Sequence, residues 1–247
     1  MTTSFDTAAA HPRVPTGIST GGQFATKPRT ESDVELTHAA IQVRIDASFP
    51  VPQANNLDAI ASVPEIIAAG ANTPSGVAAA LGMADREGAY YGDAAGYLGL
   101  VDVEPGAPVK SYRLTDAGRA LAEADPASRA ALMTAVVDEV PQVRALRSGD
   151  EQGVLDRLGA DDGLGSTTAV RRLDTFRSWD RMTASPFELT DAVAAVADTA
   201  HANLGAAIQV SVRELDEARR KNTERPVAYC GSCFLQLPAS GSCDTCD

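Results

Sequence analysis

Lysine is nearly missing from this chain: Lys27, Lys110 and Lys221 stand against eighteen Arg. Aromatic residues make up 5%, with a single Trp, so any core must be built from Ala, Val, Leu and Ile. No apolar run approaches the roughly 20 residues that a membrane span requires, which excludes a membrane role on this reading. The N-terminus lacks a basic head followed by an apolar core, so it does not read as a secretory signal, and the expected location is cytoplasmic. Histidine is restricted to His11, His38 and His201, and no GxxxxGK[ST], HExxH or GxSxG motif occurs. His201 falls inside a helical stripe and reads as a packing or surface residue. The sequence therefore predicts a protein without catalysis. The net charge of −12 excludes a general nucleic-acid coat, because phosphate binding wants clustered cations; a DNA contact here needs its Arg gathered on one face. Scarce Lys and abundant Arg in a chain rich in Ala, Gly and Asp suggest a GC-rich bacterial gene.

What is present is organised around residues 57–121. Leu57, Ile60, Ala61, Ile66 and Ile67 predict a short apolar helix ending at Gly70. Asn72–Thr73–Pro74 offers an N-cap with Pro at the first helical position, opening a helix over 74–81 that Gly82 closes. A third helix over 86–98 places Tyr90, Ala94, Tyr97 and Leu98 on one face. A strand at 100–103, a Pro/Gly turn and a returning strand at 109–114 predict a hairpin, and Thr115 caps a helix over 116–124. Three helices, a hairpin and a helix in this order make the winged variant of helix-turn-helix.

The 247 residues suffice for two small domains plus tails. Residues 1–33 lack periodicity and read as a disordered leader. Residues 34–125 form the first winged-helix unit, of which 34–56 fit either a strand or an amphipathic lead-in. Residues 126–184 read as a second, degenerate helix-turn-helix unit. Its first helix runs from Pro126 to about Leu146, with Ala131, Leu132, Ala135, Val136 and Val140 inward and a break or kink at Pro141. A short helix buries Val154, Leu155 and Leu158. The last helix, capped near Ser166, carries Val170, Leu173, Phe176 and Trp179 as its stripe. Over 185–225 a narrow stripe of Leu189, Val193, Val196, Ala200, Leu204, Ile208, Val212 and Leu215 predicts one long helix, or two broken near Gly205. Residues 189–215 suit docking on the core or pairing with a partner helix, including that of a second copy.

Cys230–Gly231–Ser232–Cys233 and Cys243–Asp244–Thr245–Cys246 hold every cysteine in the pattern C-x2-C-x9-C-x2-C. Two residues between thiolates let both sulfurs of a knuckle meet one ion, and two knuckles close a tetrahedral site preferred by Zn2+. The expectation is a zinc ribbon over 226–247, structural because four thiolates leave no open coordination position. Disulfides are the rival and are rare in a reducing compartment. For DNA, the first unit offers Lys110 and Arg113 on the wing, opposed by Asp102 and Glu104, and Arg86 on the groove helix, opposed by Asp85, Glu87 and Asp93. The second offers Arg171, Arg172, Arg177 and Arg181, against Asp174 and Asp180.

Residues 57–182 resemble a winged-helix module of bacterial and archaeal proteins, often attached to restriction-modification or ATPase-associated components. The resemblance lies in Asn72–Thr73–Pro74, the run from Tyr90 through Gly92, Gly96 and Gly99 to Val101, Tyr112–Arg113–Leu114–Thr115–Asp116–Ala117–Gly118–Arg119, and Thr168–Ala169–Val170–Arg171–Arg172 with Trp179. It covers about half the chain and implies no catalytic residues. The tail from Tyr229 to Cys246 resembles a zinc ribbon. His11–Pro12–Arg13–Val14–Pro15–Thr16–Gly17 with Gly21–Gly22–Gln23–Phe24 resembles the leader of phage and mobile-element proteins of GC-rich bacteria. The fold expected is mainly α, with tandem winged-helix units, a small β-wing, a long C-terminal helix and a small zinc ribbon. The expected function is a DNA-binding or transcription-associated accessory protein; the alternative is a protein-interaction adaptor.

Overall fold

Pro, Gly and Thr punctuate the chain where the helices begin and end in the computed structural model, which describes residues 45–223, 229–233 and 246. The leader 1–33, the lead-in as far as 44 and Cys243 lie outside the described residues. The described chain is mainly helical, with nine helices and one two-stranded sheet among the described residues. The helices are α1 (Leu57–Ala68), α2 (Pro74–Leu81), α3 (Asp85–Tyr97), α4 (Asp116–Glu123), α5 (Pro126–Asp138), α6 (Pro141–Arg147), α7 (Glu151–Ala160), α8 (Ser166–Thr183) and α9 (Pro186–Thr223). Strands β1 (Val101–Val103) and β2 (Tyr112–Leu114) pair antiparallel between α3 and α4, with Asp102 opposite Arg113. Residues 45–56 form neither strand nor helix.

α1 is the hub. Nine of its twelve residues are buried, as a helix apolar on every side requires. It packs against α2, α3, α4, α5, α8, α9 and β2. The caps of the next elements follow the sequence chemistry. Thr73 Oγ1 accepts from the Gly76 N–H at 3.2 Å, and Gly82 ends α2 at φ +66. Thr115 Oγ1 accepts from the Gly118 N–H at 3.0 Å to start α4.

α9 continues through Gly205 as a single helix of 38 residues, and it closes the core. It runs over α2, with Leu189, Val193, Ala200, Ala207 and Ser211 buried. The Thr73 and Ser211 hydroxyls share a buried hydrogen bond of 3.0 Å, and the Thr73 N–H donates to Ser211 Oγ at 3.3 Å. At the other end of α2, Asn203 Nδ2 donates to the Ala80 carbonyl at 3.1 Å, one of the carbonyls a helix leaves without an internal partner. Gly76 allows this crossing, since a Cβ there would overlap Ser211 Oγ. Gly88 does the same between α2 and α3, where a Cβ would overlap the backbone at Pro74 and Ala78.

Several expected faces are turned. The chain breaks rather than kinks at Pro141: α5 ends at Asp138, and Pro141 opens α6 at the first helical position. α5 buries Arg129, Ala130, Met133, Val136 and Val137, whereas Ala131 and Ala135 are exposed. α8 buries Ala169 in place of Val170, which is 47% exposed, and then Leu173, Phe176 and Trp179. In α3, Tyr91 is inward and Tyr90 is 38% exposed. In Ala-rich helices the apolar residues of neighbouring faces differ little, so tertiary contacts choose the side. For α8 the choice is made by Trp179, whose Nε1 donates to the Ala54 carbonyl at 3.0 Å and whose ring meets Phe176 edge-on at 5.6 Å.

Replacing Gly76 by Ala forces the Ser211 hydroxyl out of its buried pair, an expected loss of about 1–3 kcal/mol by urea unfolding. Adding Ser211→Ala should then restore part of that loss. Gly88→Ala meets backbone that no rotamer change can clear, and its expected cost is about 3 kcal/mol or more. Wild-type stability in Gly88→Ala would contradict the close approach of α2 and α3.

Candidate metal centre and candidate nucleic-acid faces

The two residues between Cys230 and Cys233 form a turn, and the Ser232 N–H donates to Cys230 Sγ at 3.5 Å. Cys246 returns to the same place. The Sγ atoms of Cys230, Cys233 and Cys246 all lie within 4.8 Å of one another. Thiolates tetrahedrally bound at about 2.3 Å stand about 3.8 Å apart, so this cluster has the dimensions of a thiolate metal site. A disulfide joins two sulfurs and gives no reason for the third to be there. Cys230 and Cys233 are partly buried and Cys246 is exposed. The fourth expected ligand, Cys243, is outside the described residues. The donor set is soft, which suits a thiophilic ion.

The cations expected to meet DNA divide into two groups. On the hairpin, Lys110 Nζ pairs with Asp93 of α3 and lies 5.5 Å from the centre of the Tyr112 ring. The Tyr112 hydroxyl donates to the same Asp93 Oδ1 at 2.9 Å. Burial, then the Asp93 charge, pushes the Tyr112 hydroxyl far above its usual range, so it remains a donor. Arg113 pairs across the ladder with Asp102 at 2.9 Å. On α3 the exposed residues of the first turns are Asp85, Arg86 and Tyr90; Glu87 folds back to accept from the Ala84 N–H at 2.9 Å. Seven of the thirteen α3 residues are buried. The hairpin cations are therefore neutralised, and the exposed first turns of α3 carry one carboxylate, Asp85, beside one guanidinium, Arg86.

On α8, Arg177 is held by Glu151 at 2.5 Å and Asp174 at 2.8 Å. Arg171, Arg172 and Arg181 form no ion pair among the described residues. Arg171 and Arg181 are exposed, while Arg172 is half-buried with its Nε lacking a hydrogen-bond partner. Burial, then the neighbouring Arg171, lowers the pKa of Arg172. Asp180, expected to oppose Arg181, is taken by Arg147.

Arg147 and Arg129 were not singled out by the sequence. Arg147 bridges Asp138 and Asp180, each at 2.6 Å, and donates to Thr183 Oγ1 at 3.0 Å, tying α5, α6 and α8 together. Arg129 has a side chain only 5% exposed; it pairs with Glu65 at 2.6 Å and donates to the Ala124 carbonyl beyond α4 at 3.2 Å. Nothing local in the sequence distinguishes these arginines from solvated ones. His201 is exposed on α9.

Among the described residues, none of Cys230, Cys233 and Cys246 belongs to the hydrophobic core. Changing Cys230 and Cys233 together to Ser should abolish metal retention, measured by elemental analysis, and leave the far-UV helical signal nearly unchanged. Metal retained in the double variant would overturn the cluster as the binding site. Comparison with known proteins finds no match for this chain: no family model, no curated protein and no solved structure.

Proposed function

We propose that this is a non-enzymatic, cytoplasmic adaptor of a phage or mobile element, built from tandem winged-helix units and a structural zinc ribbon. α1–α4 with the β1–β2 hairpin make the first unit, and α5–α8 the degenerate second. Cys230, Cys233, Cys243 and Cys246 hold Zn2+, which supplies stability to a segment too small to bury a core of its own.

One observation carries the adaptor reading. The hairpin cations Lys110 and Arg113 are engaged by Asp93 and Asp102, so the face that a winged helix turns toward DNA offers phosphate almost no uncompensated charge. Such a face suits protein contact, where paired surface charges set register rather than affinity.

A separate observation supports a second reading, DNA contact through α8. Arg171, Arg172 and Arg181 have no carboxylate partner among the described residues, and Arg171 is exposed near the N-terminal turns of a long helix. Guanidinium groups so placed can pair with phosphate or with guanine.

Titration of the full-length protein with random and genomic duplex DNA over a range of salt separates the two. The adaptor reading predicts no salt-sensitive affinity even at low ionic strength. If binding is found, Arg171→Ala with Arg172→Ala should flatten the slope of log K against log salt by about 0.9 for each lost phosphate contact. Arg86→Ala with Lys110→Ala should do much less, and salt-sensitive binding by the wild type would replace the adaptor reading with the second one.

A further inference from the structure

α7 and α8 are joined by a turn and lie against each other, but they do not close completely. Between them runs a groove of about 460 Å³ walled by Leu155, Leu164, Ala169 and Val170, with Asp156 on its edge. Val170 is 47% exposed although the opposite side of α8 buries Leu173, Phe176 and Trp179. A β-branched apolar side chain left at the lip of an apolar groove loses contacts on one side and is wetted on the other.

On the α7 side of this groove the charge is negative, with Asp156 in its lining and two further carboxylates following the end of the helix. Asp161 is the C-cap residue of α7, and Asp162 follows it in the connection to α8. A helix C-terminus carries negative potential and favours cations, so two carboxylates there are unfavourably placed. The basic residue in the last turn of α7, Arg157, reaches back to Asp150 at 3.6 Å and leaves that end uncompensated. On α8, exposed Arg171 follows Val170 and forms no ion pair among the described residues, while Arg177 is occupied by Glu151 and Asp174. Among the described residues no cation forms an ion pair with Asp156, Asp161 or Asp162. Asp156 accepts from Gln152 Nε2 at 2.8 Å. Partial burial, then Asp161, raises the Asp162 carboxyl above its usual range. Arg171 is turned about 100° around the α8 axis from Val170.

We propose that the α7–α8 groove docks a basic amphipathic helix of a protein partner, its apolar side chains on Leu155, Leu164 and Val170 and its Lys or Arg side chains at Asp156, Asp161 and Asp162. The inference rests on the adaptor reading and gives the partner a chemistry. Helix-in-groove recognition uses an apolar floor for affinity and charged edges for orientation. Nucleic acid is disfavoured at this place, because the carboxylates repel phosphate and the floor offers bases no cation. A second copy of this chain is disfavoured by a net charge of −12 on each partner.

The probe is a fluorescein-labelled Leu/Lys peptide of about 18 residues, long enough to form an amphipathic helix on contact. A Leu/Glu twin of the same pattern is the comparison. Anisotropy with the full-length protein should show binding of the first, weakened by salt, and none of the second. Val170→Arg should weaken binding by about tenfold, the scale of losing one central apolar anchor. Asp161→Asn with Asp162→Asn should weaken it several-fold and flatten its salt dependence. Val212→Arg makes the same charge change at a position 46% exposed on α9 and should leave binding at the wild-type level. Equal affinities for wild type and Val170→Arg would overturn the groove, as would failure of the Leu/Lys peptide to bind. Loss in Val212→Arg instead would overturn the groove while leaving an adaptor with its dock on α9. The adaptor reading itself fails on salt-sensitive DNA binding, so the two failures are told apart.

Discussion

The crossing of α9 over α2 is the contact on which the rest of the structure depends. α2 is only eight residues long, too short to be helical alone, and its composition of Pro, Ser, Gly, Val, Ala and Leu offers little grip. It is held because both ends are satisfied from α9. Ser211 meets Thr73 at the N-cap and Asn203 meets the Ala80 carbonyl at the other end. Gly76 lets the two backbones approach, and Ala207 keeps the interface thin. With α2 fixed in this way, Gly88 can press α3 against its other side, and α1 is enclosed by all three.

The acidity of the protein has a definite geography. Lys110, Arg113, Arg147 and Arg177 answer to carboxylates of the same chain. Most of these pairs are exposed and contribute little to stability singly. Arg129 differs, since its guanidinium is buried and bonds both Glu65 and the chain leaving α4. Removing Glu65 would leave a buried charge, a costlier change than losing a surface pair. With these cations paired internally, the carboxylates at the end of α7 and the guanidinium groups of Arg171 and Arg181 are among the charges left without an ion pair among the described residues.

The legible parts of the fold were those written in local chemistry. Thr73–Pro74, Gly82 and Thr115 each specify a helix end within four residues, and α2, α3, β1, β2 and α4 appear in the predicted order. The cysteine knuckles were legible for the same reason: ligand spacing is local, and three of the four sulfurs converge. Less legible was the rotation of each Ala-rich helix, as Tyr90 against Tyr91 and Ala169 against Val170 show. Periodicity along α9 showed that one face is buried but not what buries it; Leu189, Val193 and Ala200 are covered by their own chain. Arg129 and Arg147 act through partners tens of residues away, which no short window contains. The exposure of Val170, which opens the α7–α8 groove, is a rotation of the same kind.

The hydroxyl pair between Thr73 and Ser211 joins residues 138 apart in sequence. During synthesis at about 5–20 residues per second, α2 waits roughly 7 to 28 s before the residue that completes its cap has been made. Over that interval α1 has nothing permanent on one flank, and its Ile and Val side chains stay available to other molecules in the cell. The final topology is a long-range closure, so the flank of α1 and α2 that α9 covers is completed only late in synthesis.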